Sequence, residues 1–165
     1  MALLGFPDPV DEVSARLVAG GVVVLTVATL ALDQPWLAVV IAYGFVARVL
    51  TGPKLSPLGR LATQVVRPRL PVAPRLVPGP PKRFAQGIGA VLSVTAVVLF
   101  AVGASGVATG LLAALVVAAG LEAVLGLCLG CRAFALLMRA GVIPAEVCER
   151  CSDIWAGRVA PATAD

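Results

Sequence analysis

The sequence predicts an all-α integral membrane protein, a four-helix bundle built from two helical hairpins. Of its 165 residues, 59% are hydrophobic and only 13% are charged, and the mean hydropathy is +0.99. A soluble domain of this length carries more charge, whereas a lipid bilayer accommodates this apolar surplus. Ala, Val, Leu and Gly dominate and aromatic residues make up 5%, a composition typical of helices that pack closely in lipid.

The first predicted hairpin has spans at about residues 9–32 and 36–50. A spanning helix needs about 20 mainly apolar residues. Asp8 is the expected N-cap of the first helix, with Pro9 at its first position, where proline is favoured. Residues 33–35 read Asp-Gln-Pro, a tight turn. The acidic stretch before the first span is unlike a signal peptide, so this span is expected to remain in the mature protein.

The second predicted hairpin has spans at about residues 84–102 and 107–131, and the loop 51–83 joins the hairpins. Residues 48–83 contain eight basic side chains and no acid: Arg48, Lys54, Arg60, Arg67, Arg69, Arg75, Lys82 and Arg83. By the positive-inside rule, this loop and both termini should be cytoplasmic. No aromatic interleaving or known nucleic-acid module is present, so we expect no nucleic-acid partner.

The loop is rich in proline, and its second half, residues 68–81, is predicted to be extended, polyproline-like chain. Its first half contains an amphipathic stretch that we expect to form a short helix at the lipid interface, with Ser56 as N-cap. The membrane domain is expected to comprise residues 1–141. Residues 142–165 would form a short cytoplasmic helical tail.

The four cysteines form two CxxC pairs, Cys128 with Cys131 and Cys148 with Cys151. The chain has no histidine, which excludes Ser-His-Asp and Cys-His catalysis and histidine metal sites. Two cysteines at this spacing reach disulfide distance at a helix start, as in thiol oxidoreductases. The preferred hypothesis is therefore a membrane-embedded thiol redox or sulfur-relay protein. Cys128 and Cys131 would be the redox pair, and Cys148 and Cys151 a shuttle pair on the tail.

The position of the first pair at the end of the last span raises a difficulty for thiol chemistry. If the span continued through Cys131, Cys128 would lie near a helix C-terminus, where the dipole disfavours a thiolate. A break at Gly126 or Gly130, followed by a new helix from near Cys128, would remove this difficulty. Arg132 would then stabilise the thiolate, and Gly141 would close the new helix.

Glu122 is an acid within the apolar last span, expected near the middle of the membrane. A carboxylate there costs about 2.5–3.5 kcal/mol on insertion scales, so it should be neutral or paired inside the bundle. Gln86, Tyr43 and Arg48 are the expected partners. Glu122 is a candidate proton donor to a thiol or a quinone, or alternatively a structural clamp between helices.

Other functions compete with thiol chemistry. The pattern C-x2-C-x16-C-x2-C matches the spacing of zinc sites, so Cys128, Cys131, Cys148 and Cys151 are alternative zinc ligands. The chain would then be a non-catalytic membrane anchor or scaffold, as it would if the cysteines were simply buried. A third alternative is a small-solute transporter that depends on Glu122 and is indifferent to Cys128.

Four stretches of the chain resemble the family known as domain of unknown function 4395, which comprises bacterial, mostly actinobacterial, membrane proteins. They are Val10-Asp11 with Arg16, residues 52–60, residues 80–89, and the Gly-Leu-Cys-Leu-Gly-Cys sequence at 126–131. The resemblance implies four spans in a bacterial plasma (inner) membrane. It also implies a cytosolic partner of the thioredoxin-like or rhodanese type, because some members occur beside or fused to such domains. It points to Cys128 and Cys131 as the operative pair. Analogy with other four-helix thiol-oxidising membrane proteins makes a quinone a candidate terminal acceptor.

Overall fold

A computed structural model describes residues 5–148. In chain order, its elements are β1 (Val10–Asp11), α1 (Glu12–Ala31), α2 (Trp36–Thr51), α3 (Pro57–Arg60), β2 (Leu76–Val77), α4 (Gly79–Ala101), α5 (Ser105–Leu125) and α6 (Leu129–Arg139). A π-helical segment (Leu61–Val66) and a 3-10 turn (Arg67–Arg69) continue α3, and a second 3-10 turn (Ala145–Val147) follows α6. The predicted all-α class is confirmed, and most of the predicted tail lies outside the described residues.

Three helices are long and apolar enough to cross a membrane, namely α1 with 20 residues, α4 with 23 and α5 with 21. Helix α2 is equally apolar but has only 16 residues. Large hydrophobic side chains such as Val24, Val91 and Val124 are more than 60% exposed on the outside of these helices. Water does not tolerate this much contiguous apolar surface, but lipid does. The chain is therefore a membrane protein.

The helices pack in a closed ring, because α1 contacts α2 and α5 while α4 contacts the same two helices from the other side. Small side chains let the backbones approach, and Ala38, Ala96 and Ala108 are completely buried. The ring of Phe45 occupies the space beside Gly89, where even a Cβ atom would overlap it. Close packing of small residues against a few large ones thus holds the bundle together.

One end of the bundle, which we term the loop end, is where α1 and α4 begin and α2 and α5 end. There β1 pairs with β2 in antiparallel register, with Val10 opposite Val77. The Asp11 carboxylate accepts hydrogen bonds from the Arg67 side chain and from the backbone N–H of Arg75. The polar loop is thus fastened to the N-terminal segment at this end.

The pairing of β1 with β2 corrects the predicted start of the first helix. Because Val10 and Asp11 are held in the strand, α1 begins at Glu12 and its N-cap is Asp11, not Asp8. Asp8 Oδ1 instead accepts from the backbone N–H of Gly79, the first residue of α4, at 3.0 Å. A carboxylate predicted to cap its own helix therefore stabilises the start of another.

The starts of α3 and α4, the two helices of the loop region, were also predicted. Ser56 is the N-cap of α3, as predicted, and its Oγ accepts from the Gly59 N–H at 3.2 Å. The predicted loop 51–83 was too long, because α4 begins at Gly79 instead of residue 84. Pro80 and Pro81 lie in its first turn, where the backbone N–H groups have no helical partner and proline costs nothing. The extended segment is correspondingly shorter than residues 68–81.

The last long helix was predicted to run to residue 131, and this boundary was wrong. Helix α5 ends at Leu125 because Gly126 adopts a left-handed conformation with φ of 67°, which favours glycine. A new helix, α6, starts directly after Cys128 and is followed by Gly141 with φ of 73°. The alternative of a break at Gly126 with a second helix closed by Gly141 is confirmed.

The fastening at Asp11 should depend on pH. Burial acts to raise the pKa of Asp11, but hydrogen bonds from Arg67, Arg75, Val13 and Ser14 outweigh it and hold the pKa below 3.8. A carboxyl group with a depressed pKa stabilises the fold above its unfolded pKa, and this contribution is lost as the pH falls through the folded value. Hydrogen exchange in residues 76–77, corrected for intrinsic rate, should therefore accelerate below about pH 4.

The matched variant for this prediction is Asp11→Asn, which retains a capping side chain but has no charge to titrate. Its exchange at residues 76–77 should be faster than wild type near neutral pH and should show no acceleration in acid. Asp33→Asn, at the turn between α1 and α2, should leave the profile unchanged. A wild-type profile that stays flat in acid would contradict a charge-dependent fastening.

Candidate functional site

The break between α5 and α6 is stabilised by Arg16, a residue near the start of α1. Arg16 donates from Nε to the Ala123 carbonyl at 3.1 Å and from Nη2 to the Val124 carbonyl at 2.7 Å. These carbonyls belong to the last turn of α5 and have no helical partner of their own. The cationic side chain therefore satisfies and stabilises the helix end, and the chain can turn at Gly126 toward the cysteines.

Cys128 is the N-cap of α6. Its backbone is extended, with φ of −86° and ψ of 104°, and its Sγ accepts from the Cys131 backbone N–H at 3.4 Å. A helix N-terminus favours a negative charge, so this position supports a thiolate. Cys128 is buried with 9% of its surface exposed, Cys131 is half-buried, and both are free thiols.

Helix α6 lies tightly against the start of α4. A Cβ atom at Gly130 would come within 2.5 Å of Ala85 Cβ and 2.6 Å of Ala85 Cα, so only glycine fits there. Four residues further on, the Phe134 ring meets Phe84 edge-on, with ring centroids 5.6 Å apart. This contact brings the CxxC segment to the first turns of α4, where Lys82 is found.

Lys82 and Glu122 form a buried ion pair beside the cysteines. Lys82 Nζ lies 2.6 Å from Glu122 Oε1, and their side chains are only 7% and 14% exposed. A lysine in the first turn of a helix is disfavoured by the dipole, so Glu122 supplies the stabilisation that α4 does not. Lys82 was predicted only as one of the loop cations. The available signal was its place directly after a Pro-Pro pair that starts a helix, in a stretch that continues as an apolar span.

The two thiols differ in acidity because of how they face each other. A hydrogen bond from the Cys131 thiol lowers the pKa of Cys128, burial and Glu122 oppose this, and Lys82 adds to it. The same hydrogen bond, together with burial, raises the pKa of Cys131. Cys128 is thus the more acidic of the two thiols, and Cys131 is the less acidic.

Glu122 lies close to the loop end instead of the middle of the membrane. Since α5 ends at Leu125, Glu122 falls in its last turn, and the predicted mid-membrane position was wrong. Of the three predicted partners, Arg48 is close enough to interact electrostatically with it. Gln86 instead accepts from Arg48 Nε at 2.9 Å, and the Tyr43 hydroxyl donates to the Leu55 carbonyl. The hydrogen-bonded partner is Lys82, which sequence reasoning missed.

The remaining predicted site residues lie around α6. The Arg132 side chain is exposed, and its role as a thiolate stabiliser stays a prediction. Lys82 is a cation that favours the Cys128 thiolate. Cys148 is buried against the Phe134 cluster, with Met138 and Ile143 packed around it, while Cys151 lies outside the described residues. Within residues 5–148, no group of three or more Cys, Asp or Glu side chains is placed to hold a metal. The four-cysteine zinc site requires Cys151 and stays a prediction.

Comparison with known proteins identifies a family and no individual relative. No curated protein and no solved structure matches the chain. The model of one family, described as a domain of unknown function, matches residues 10–139. That region begins at β1 and extends to the end of α6, so it contains the first CxxC pair, Lys82 and Glu122. The chain therefore belongs to the family named domain of unknown function 4395.

Proposed function

We propose that this protein is a membrane-embedded thiol redox or sulfur-relay protein whose operative pair is Cys128 and Cys131. The observation that carries the proposal is the position of Cys128 Sγ. It caps a helix N-terminus, accepts from the Cys131 N–H and lies beside Lys82. Helix N-termini and neighbouring cations are the two features that activate cysteines as nucleophiles. A cysteine that served only for packing would need neither.

The redox cycle follows from the difference between the two thiols. The Cys128 thiolate attacks a disulfide of the partner, so that a mixed disulfide forms and one partner sulfur leaves as a thiolate. Cys131 then loses its proton and attacks Cys128 Sγ, which releases the second partner sulfur. Two electrons pass to the partner together with the one proton that Cys131 gives up, and the partner's second thiolate takes its proton from solvent, because Cys128 reacts as a thiolate. The Cys128–Cys131 disulfide remains, and the same steps in reverse reduce it. Lys82 stabilises the Cys128 thiolate before it attacks. Glu122, the predicted proton donor, is ion-paired with Lys82 as a carboxylate, so its candidate role is to accept the proton that Cys131 loses and to pass that proton on.

In a sulfur relay, the same nucleophile would act on a persulfide. The Cys128 thiolate attacks the outer sulfur of the partner's persulfide, the partner leaves as a thiolate, and Cys128 becomes the persulfide. A cytosolic thioredoxin-like or rhodanese protein is the partner class for the two reactions. Cys148 packs against Phe134 of α6, the helix that Cys128 caps. This contact supports a shuttle role for the tail pair Cys148 and Cys151.

We propose four membrane spans with the loop end in the cytoplasm of a bacterial cell. Helix α2 is about 24 Å long at 1.5 Å per residue, short of a hydrocarbon core of about 30 Å. Its place in the ring supports a fourth span, because α1 and α4 begin at the same end and α2 must return the chain there. The basic side chains of the loop favour the cytoplasmic side, and the cysteines lie at that end.

Trapping variants test the proposal. With Cys131→Ser, the attack by Cys128 should stop at the mixed disulfide, so an oxidised thioredoxin-like protein should become covalently attached in non-reducing gels. With Cys128→Ser, no such adduct should form. In the wild type, iodoacetamide at neutral pH should modify Cys128 well before Cys131, as read by peptide mass.

The measurement that separates this proposal from the scaffold is metal analysis combined with thiol titration. Reversible oxidation of Cys128 and Cys131 in the wild type, without bound metal, is the expected result. One zinc per chain held by four protected thiols would refute the redox assignment. Equal adduct formation by the two serine variants would do the same.

A further inference from the structure

A cleft opens at the loop end between α1, α2 and α3, and its lining does not include the cysteines, Lys82 or Glu122. Its volume is about 240 Å3, and its apolar wall includes Val22, Leu25, Val40 and Ile41. Arg48 and Ser56 line it as well, together with Leu58. Leu25 lies in the middle of α1, whereas Arg48 is in the last turn of α2. The cleft therefore runs from a polar end at the level of the loop to an apolar end within the bundle.

The polar end contains a buried cation with a free hydrogen-bonding position. Arg48 is only 5% exposed, donates from Nη1 to Ser56 Oγ at 3.0 Å, and stacks on the Phe45 ring. Its Nη2 is the one buried side-chain nitrogen or oxygen without a partner in the described part of the chain. Leaving such a group unsatisfied is costly, so an acceptor at this position would be bound favourably.

Arg48 is a buried cation with no carboxylate in direct contact among the described residues, so an anion beside it would be stabilised. Lys82 and Arg48 both interact with Glu122, but that carboxylate is hydrogen-bonded to Lys82. No carboxylate among residues 5–148 forms a salt bridge with Arg48. Ser56 Oγ accepts from Arg48 and from Gly59, so its own hydrogen remains available as a second donor.

We propose that this cleft binds one anionic phospholipid. Its phosphate would accept from Arg48 Nη2 and the Ser56 hydroxyl, and one acyl chain would lie along Val22, Leu25 and Ile41. A guanidinium presents donors in the geometry that phosphate oxygens favour. The direction of the cleft, polar at the interface and apolar toward the membrane interior, matches a single head and chain. The basic loop beside it would raise the local concentration of anionic lipid.

Lipid titration of the purified full-length protein tests the proposal, with binding read by native mass spectrometry. The probes are phosphatidylglycerol and phosphatidylcholine with identical chains, and inorganic phosphate alone. We expect the wild type to bind one phosphatidylglycerol at least about tenfold more tightly than phosphatidylcholine. Both lipids have the phosphate, but the choline cation of phosphatidylcholine would lie close to Arg48 and the basic loop and would be repelled by them. Inorganic phosphate should not displace it, because the chain contributes to binding. Arg48→Lys, which keeps the charge but not the planar fork, should weaken the preference.

A pair of tryptophan variants keeps the test valid if changes at Arg48 disturb folding. Val40→Trp should fill the cleft and reduce phosphatidylglycerol binding to the level of phosphatidylcholine. Val39→Trp is the matched control, because Val39 is exposed and is not part of the cleft wall, and it should bind as the wild type does. Equal affinity for the two lipids, displacement by inorganic phosphate, or binding unaffected by Val40→Trp would each overturn the proposal.

Discussion

Glu122→Gln should destabilise the protein by about 3–5 kcal/mol, the usual cost of removing one partner from a buried ion pair. Glu122 is hydrogen-bonded to Lys82 and interacts with Arg48, so the variant leaves two buried cations without a carboxylate. Unfolding by sodium dodecyl sulfate in mixed micelles measures the loss. The double variant Lys82→Met/Glu122→Leu should recover most of it, because a pair of apolar side chains needs no counter-charge.

The same residues should move the reactivity of Cys128 in opposite directions, which purely structural damage would not do. Lys82 favours the Cys128 thiolate and Glu122 disfavours it. Lys82→Met should therefore raise the pKa of Cys128 and shift its alkylation midpoint to higher pH, while Glu122→Gln should shift the midpoint to lower pH. Asp33→Asn, the same change at the exposed turn after α1, should alter neither stability nor midpoint. Shifts of the same sign in the two single variants would contradict this electrostatic arrangement.

Gly130→Ala should cost about 1–3 kcal/mol although alanine is the better helix former, because the added methyl group overpacks the contact between α6 and α4. The atoms in its way are Cβ and Cα of Ala85, and backbone cannot move aside as a flexible side chain would. The two helices must therefore separate, which displaces the CxxC segment from Lys82. Oxidation of Cys128 and Cys131 to a disulfide should slow accordingly.

Gly120→Ala provides the matched control for this prediction. Gly120 lies within α5, and a Cβ there would meet nothing within 4 Å. The substitution should leave oxidation of the thiols unchanged, and stability should be unchanged or higher by up to about 1 kcal/mol. If Gly130→Ala matched Gly120→Ala in stability and oxidation rate, the close contact at Ala85 would have no role in the site.

Much of the fold was predictable because the relevant signals are local. The apolar segments, the turn at residues 33–35 and the capping of α3 by Ser56 each depend on a few neighbouring residues. The break after α5 belongs to the same class, since Gly126 can adopt the left-handed conformation that stops a helix. The predicted span ran to residue 131. The alternative of a break at Gly126 or Gly130, with a new helix from near Cys128, followed from the glycines and from the chemistry of a thiolate.

The boundaries that were wrong share a physical cause. Asp8 and Asp11 are both good capping residues and lie three positions apart, so local preference does not choose between them. Pairing of β1 with β2 decides, because it holds Val10 and Asp11 in an extended conformation. The early start of α4 depends in part on Asp8, which is 71 positions from the Gly79 N–H that it accepts.

Composition and local pattern by themselves determined that the chain is a helical membrane protein, that eight of its 13 basic residues lie between residues 48 and 83, and that Cys128 and Cys131 are the residues to test. Only the tertiary structure decided that Lys82 pairs with Glu122, that Arg16 caps the end of α5, and that Arg48 retains an unsatisfied nitrogen. Lys82 and Glu122 are 40 positions apart, and Arg16 is 107 and 108 positions from the two residues whose carbonyls it caps. A charged side chain inside an apolar bundle needs a partner. Which partner lies close to it depends on how the helices pack, and that packing depends on the whole chain.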